Sequence, residues 1–157
     1  MGPARWPVHR GRLERLLQAA LSQAPDSLSL TTSGSEKRQV RAVTHSLELT
    51  LRMVGAEESR TLNQQFRGKD SPTNVLTFGY EPLPTASADL VLCLPVLIEE
   101  AQQQGKDVSS HFLHMALHGA LHALGHDHQA EAEALAMEDL ERTLLARLGI
   151  SDPYAAG

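Results

Sequence analysis

A chain of 157 residues, 41% apolar and 21% charged, is sized for one domain around one hydrophobic core. Its formal net charge of −5 excludes a wholly basic nucleic-acid binder, although eleven Lys/Arg stand against seven Asp/Glu in residues 1–70 and three against twelve in 71–157, so a local basic surface survives. The single cysteine, Cys93, excludes an internal disulfide and a thiolate zinc site.

The N-terminal arginines are followed by no apolar stretch of signal-peptide type, because Arg12, Glu14 and Arg15 interrupt it. Leu13, Leu16, Leu17, Ala20 and Leu21 instead recur at helical spacing and predict an amphipathic helix over 12–21, ended by Pro25 and Ser27. Residues 31–37 are polar and read as a loop. Leu47, Leu49, Leu51 and Met53 alternate with Glu48, Thr50 and Arg52, which predicts a half-buried strand over 47–54. Gly55 turns the chain into a helix over 56–66 that Gly68 can stop. Residues 74–78 and 89–94 are short β-rich runs separated by Pro82 and Pro84, and predict two more strands. Pro95 suits the first turn of a helix reaching Gln104, closed by Gly105. Asp107 or Ser109 can cap a long helix that ends at Gly125. The last helix, over 130–148, is expected to turn Leu135, Leu140, Leu144 and Leu148 inward and its acids outward. No apolar run approaches the ~20 residues a bilayer needs, so no membrane contact is expected and the reading is cytoplasmic. The expected fold is α+β: a small mixed sheet of about four strands packed with helices, in a single domain over 1–157 with 1–8 and 155–157 as flexible ends.

Six of the eight histidines fall between His111 and His128. His118 and His122 are one helical turn apart and share a face. Gly125 can break the helix, and His128 can then return as a third ligand. Three imidazoles without a nearby cysteine are the donor set of a catalytic zinc site, one ion per chain, whose fourth place is left to water. Other divalent metals accept imidazole too. His114 is expected to line or support the site rather than bind, and His126 to lie at the surface. Asp127 suits either an N-cap of the last helix or an orienting contact to a ligand imidazole. Zinc peptidases use the same histidine spacing, but they carry a glutamate general base directly after the first histidine. Gly119 occupies that position here.

Three blocks give the chain a family resemblance. HGALHALGHDH at residues 118–128, LNQQFRGKDSPTNVLTF at 62–78, and DLVLC at 89–93 with Glu100 and Ala101 behind it are similar to the motifs of the bacterial endoribonuclease YbeY family, the rRNA maturation factors. The acidic last helix and Asp152-Pro153-Tyr154 match as well, so the likeness runs from about residue 45 to 154. His126 and Ala88 depart from the usual Tyr and Gly, and the family's first strand is unplaced. The resemblance implies a single-strand-specific, zinc-dependent endoribonuclease acting on the 3′ end of small-subunit ribosomal RNA and in ribosome quality control. RNA, and the small subunit or its proteins, would be its partners. It also implies the three-histidine metal site, and it picks out Arg67 as catalytic.

A guanidinium pairs bidentately with phosphate oxygens, which suits Arg67. The alternative at this stage is that Arg67 pairs with Asp70 or with an acid of the last helix. Lys69 and Arg60 can extend a positive lip. Trp6, Tyr80 and Tyr154 can stack on bases or simply pack. Two other functions stay open: a zinc metallopeptidase-like hydrolase, and a non-catalytic ribosome-assembly factor with a structural metal closed by a fourth ligand such as His114 or Asp127.

Overall fold

A computed structural model of the chain describes residues 6–22, 46–81, 85–126 and 130–155. Its elements are α1 (Arg10–Ser22), β1 (Ser46–Val54), α2 (Ala56–Arg67), β2 (Val75–Glu81), β3 (Thr85–Cys93), α3 (Leu94–Gln104), α4 (Val108–Ala123) and α5 (Glu131–Ala146). The α+β expectation holds, with three strands among the described residues against the four or so anticipated. The strand order is β1-β3-β2, with β1 parallel and β2 antiparallel to β3. A parallel pair cannot be joined by a hairpin, and here the crossover from β1 to β3 is made by α2 and β2.

The central strand is apolar on both faces because both are covered. Leu92 meets Phe112 and Ala116 of α4, while Val91 and Cys93 join Leu62 of α2 on the other side. On β1 the predicted alternation is realised: Leu47, Leu51 and Met53 pack inward, and Glu48, Thr50 and Arg52 face solvent. Gly68 and Gly105 take positive φ (71° and 65°) and close α2 and α3, where a side chain would strain the backbone.

The hub is α4. It is buried almost all round, as a helix enclosed by neighbours must be. It packs on β2 and β3 and is flanked by α1, α3 and α5. Trp6 sits edge-to-face on its Phe112, with ring centroids 5.7 Å apart. Among the described residues no helix is long and apolar enough to cross a membrane.

The last helix corrects one expectation. Leu140, Leu144 and Leu148 pack inward as expected, but Leu135 is 53% exposed and Glu141 is fully buried among Met137, Leu144 and Leu145, so the acids are not all outward. The stripe runs at i, i+4, i+7 and i+8 through Glu141, and Leu135 lies off it.

At Gly119 α4 lies close against the sheet. A Cβ built there would lie 2.8 Å from Leu90 Cδ2 and 3.2 Å from Thr77 Oγ1. Alanine outranks glycine in a helix by about 1 kcal/mol. Leu90, however, is fully buried and has little room to swing, and overpacking costs about 1–3 kcal/mol. Gly119→Ala is therefore expected to lower the unfolding free energy by about 1 kcal/mol, read as an earlier urea midpoint at unchanged m-value. A later midpoint would mean that Leu90 yields and that the approach is not tight.

Candidate active site

A cleft of about 1110 Å³ runs along β2, one of the two edge strands among the described residues. Phe66 and Arg67 at the end of α2 line it on one side, and His114, His118 and His122 of α4 on the other, with Tyr154 closing one part of the wall.

The loop between α2 and β2 is held by polar side chains that α2 buries. Ser59 Oγ donates to Thr73 O (3.0 Å) and accepts from Thr73 N (2.9 Å), and Asn63 Nδ2 donates to Ser71 O (2.8 Å). Asn74 Oδ1 accepts from Val75 N at 2.7 Å, while its amide reaches Glu100 of α3 at 3.3 Å. Glu100 in turn accepts from His111 Nε2 of α4 at 2.9 Å. Burial pushes the His111 imidazole down, partly offset by Glu100. Loop, α3 and α4 are thus tied through one polar chain beside the cleft.

Arg67 is the last residue of α2, held at the cleft as Gly68 turns the chain. The sequence offered Asp70 as its partner, but Arg60 takes that role through a fork of 2.6 and 2.9 Å to the two Asp70 oxygens. The Arg60 bond holds the Asp70 carboxyl below its ordinary range. Among the described residues Arg67 makes no ion pair or side-chain hydrogen bond, with Asp70 or with any acid of α5. Arg60, committed to Asp70, adds little to a positive lip.

On α4 the rings of His118 and His122 stand next to each other, centroids 4.9 Å apart and nearly perpendicular, as the four-residue spacing predicts. His128 and Asp127 lie outside the described residues, and among those described no group of three or more His, Cys, Asp or Glu can hold an ion by itself. His118 and His122 share one helix face at the cleft, and His128, the expected third ligand, lies outside the described residues.

Sequence reasoning missed Glu141. Its Oε1 accepts from His118 Nδ1 at 2.6 Å and its Oε2 from His114 Nε2 at 2.8 Å, and the Tyr154 hydroxyl donates to Oε2 as well. Burial alone would push this carboxyl up; the donors His114, His118 and Tyr154 outweigh it and hold it down at about 2. An ionised carboxylate only accepts, so His118 Nδ1 carries the proton of this bond, and in the neutral ring the lone pair is on Nε2. Nε2 is then the atom with which His118 can bind a cation, the arrangement found where carboxylates orient metal-binding histidines. Burial, then the Glu141 carboxylate, keeps Tyr154 protonated well above the usual tyrosine range. His114 spends Nε2 on this network, in keeping with a supporting role. The signal in the sequence was an acid on the apolar stripe between Met137 and Leu144.

Glu141→Ala would take the shared acceptor from His114, His118 and Tyr154 at once, and a buried group left unsatisfied costs about 1–3 kcal/mol. The expected loss of stability is about 2–4 kcal/mol by chemical denaturation, with Glu141→Gln losing less because its carbonyl still accepts. A loss below about 0.5 kcal/mol for the alanine variant would show that these bonds contribute nothing net to folding.

Comparison with known proteins adds the following. The family model described as Endoribonuclease YbeY matches residues 12–149. A relative from Burkholderia ambifaria, named Endoribonuclease YbeY, is 55% identical over 116 residues, covering 72% of this chain and just under two thirds (66%) of its own length. One of the same name from Verminephrobacter eiseniae is 51% identical over 120 residues, covering 76% of this chain and 78% of its own. A third, from Aromatoleum aromaticum, is 44% identical over 144 residues, covering 92% of this chain and 94% of its own. Among solved structures, the solution structure of TM1509 from Thermotoga maritima aligns with a TM-score of 0.52 at 21% identity, covering 93% of this chain and 90% of that one, a likeness of fold.

Proposed function

The chain belongs to the endoribonuclease YbeY family, and from that premise we propose that it cuts single-stranded RNA in the cleft between α4 and β2, with a divalent cation, zinc first, held by His118, His122 and His128. The observation that carries this reading is the Glu141–His118 bond. It fixes the one imidazole tautomer that can serve a cation through Nε2, on a helix face that also presents His122 to the cleft. Three imidazoles without cysteine match the donor set of an open, catalytic site.

Such a cation supplies Lewis-acid polarisation and acidifies water, which is the chemistry phosphodiester hydrolysis requires. The protein's own residues supply the rest. Cleavage adds negative charge at phosphorus, and the Arg67 guanidinium, uncommitted to any acid among the described residues, can fork two phosphate oxygens across the cleft. Stapling of the 68–74 loop by Ser59 and Asn63 holds the end of α2 where that fork can reach the cleft. Glu141 holds the His118 ring in place and Tyr154 closes the wall behind it.

The peptidase alternative is disfavoured by position as well as by residue type. A Cβ at 119 would meet Leu90 at 2.8 Å and Thr77 at 3.2 Å, so a glutamate there would crowd the sheet. In keeping with the family, we assign the substrate to the 3′ end of small-subunit ribosomal RNA, the setting to ribosome quality control with the small subunit or its proteins as partners, and the compartment to the cytoplasm.

Two substitutions test this. His118→Ala should lose its metal by elemental analysis and its cleavage of an unstructured RNA together; full cleavage with the metal gone would remove the metal centre from the reaction. Arg67→Ala should keep about one metal per chain while the cleavage rate falls roughly 10- to 100-fold, the worth of a charge-assisted pair. An unchanged rate would take Arg67 out of the mechanism.

A further inference from the structure

The aromatic residues are gathered to one place. The chain has three Phe, two Tyr and one Trp, and four of these six, Phe66, Phe78, Tyr80 and Tyr154, line the cleft. The remaining two, Trp6 and Phe112, pack on each other away from it. Of the four, Tyr154 commits its hydroxyl to Glu141, and Phe78 is half-buried with Phe66 against it edge-to-face, centroids 4.9 Å apart. Phe66 and Tyr80 are left 58% and 63% exposed.

Neither ring is loose. Phe66 leans on Phe78, and Tyr80, at the bulge between Gly79 and Glu81, donates its hydroxyl to Asp89 Oδ2 at 2.7 Å. Single exposed apolar side chains are ordinary, but anchored rings grouped beside a cleft mark a binding surface. Phe66 also precedes Arg67 directly, so a ring and a cation adjoin on one lip. A nucleic-acid strand offers that combination of chemistry: a phosphate for the cation and a base face for the ring.

We propose that Phe66 and Tyr80 form a stacking platform for unpaired bases of the RNA whose backbone Arg67 holds, and that this platform selects single strands. The inference rests on the RNA-cleaving reading of the same cleft. Bases inside a duplex are stacked on one another, so only a single strand can lay its base faces on protein rings. Every base has such a face, so the selection is for strandedness and tolerates sequence.

The test uses the intact protein and two nuclease-resistant 2′-O-methyl ten-mers of equal charge, one with bases and one abasic, each carrying an end fluorophore for anisotropy. The wild type should bind the base-containing ten-mer at least about fivefold more tightly than the abasic one, since stacking on one ring is worth that much or more. A Phe66→Leu, Tyr80→Leu double variant, which keeps Phe78 covered by apolar side chains, should lose that ratio. Phe66→Trp should keep it, and Arg67→Ala should weaken both ten-mers alike with the ratio intact. Equal binding of the two ten-mers by the wild type overturns the platform, as does a double variant that weakens both equally, or a duplex of the same sequence bound as well as the single strand. If the wild type neither binds nor cleaves RNA while an extended peptide fills the cleft, the nuclease reading falls and the platform with it.

Discussion

Removing a carboxylate from water costs several kcal/mol unless its oxygens find donors, and Glu141 finds three of them in two other segments of the chain. His114 and His118 come from α4 and Tyr154 from the C-terminal turn, so the one acid fixes α5 against α4 and draws the end of the chain over the cleft wall. The same bonds set the tautomer of His118. Stability and site geometry are therefore coupled here: the group that anchors the last helix also decides which nitrogen of a neutral His118 bears the lone pair.

The same α4 wall of the cleft depends on a missing side chain. At Gly119 a Cβ would fall 2.8 Å from the Leu90 side chain, so the sheet's side chains would have to shift to admit one. That contact lies between His118 and His122 in sequence, and it turns position 119 toward Leu90 and Thr77 of the sheet. The shared histidine spacing with zinc peptidases is consequently joined to a different division of labour, in which no carboxylate follows the first histidine and a buried one stands behind it.

Positive charge is divided with similar economy. Arg60 and Arg67 lie two helical turns apart on α2, yet Arg60 is forked onto Asp70 while Arg67 faces the cleft. An exposed ion pair of this kind is worth little to stability. Its effect is on availability: Asp70, three residues from Arg67, is occupied elsewhere. Loop 68–74 keeps this arrangement because Ser59, Asn63 and Asn74 satisfy its backbone and tie it to Glu100 and, through it, to His111.

Local periodicity and local chemistry were enough to read most of the secondary structure and half of the site from the chain. The alternation at 47–54, the glycines at 68, 105 and 125 and the proline at 95 each act within a few residues, so β1, the ends of α2 and α3 and the start of α3 were legible, as were the adjacent rings of His118 and His122. The partners of charged groups were not legible, because an acid on a helix has the same spacing whether it meets water or a histidine from another element. Glu141 was read as outward and Asp70 as a possible partner of Arg67 for that reason, and packing reversed both. Tertiary structure alone decided which acid is buried, which arginine is left for a ligand, and that four aromatic rings scattered from 66 to 154 in the chain share one cleft, since each of these depends on contacts between segments that no local pattern encodes.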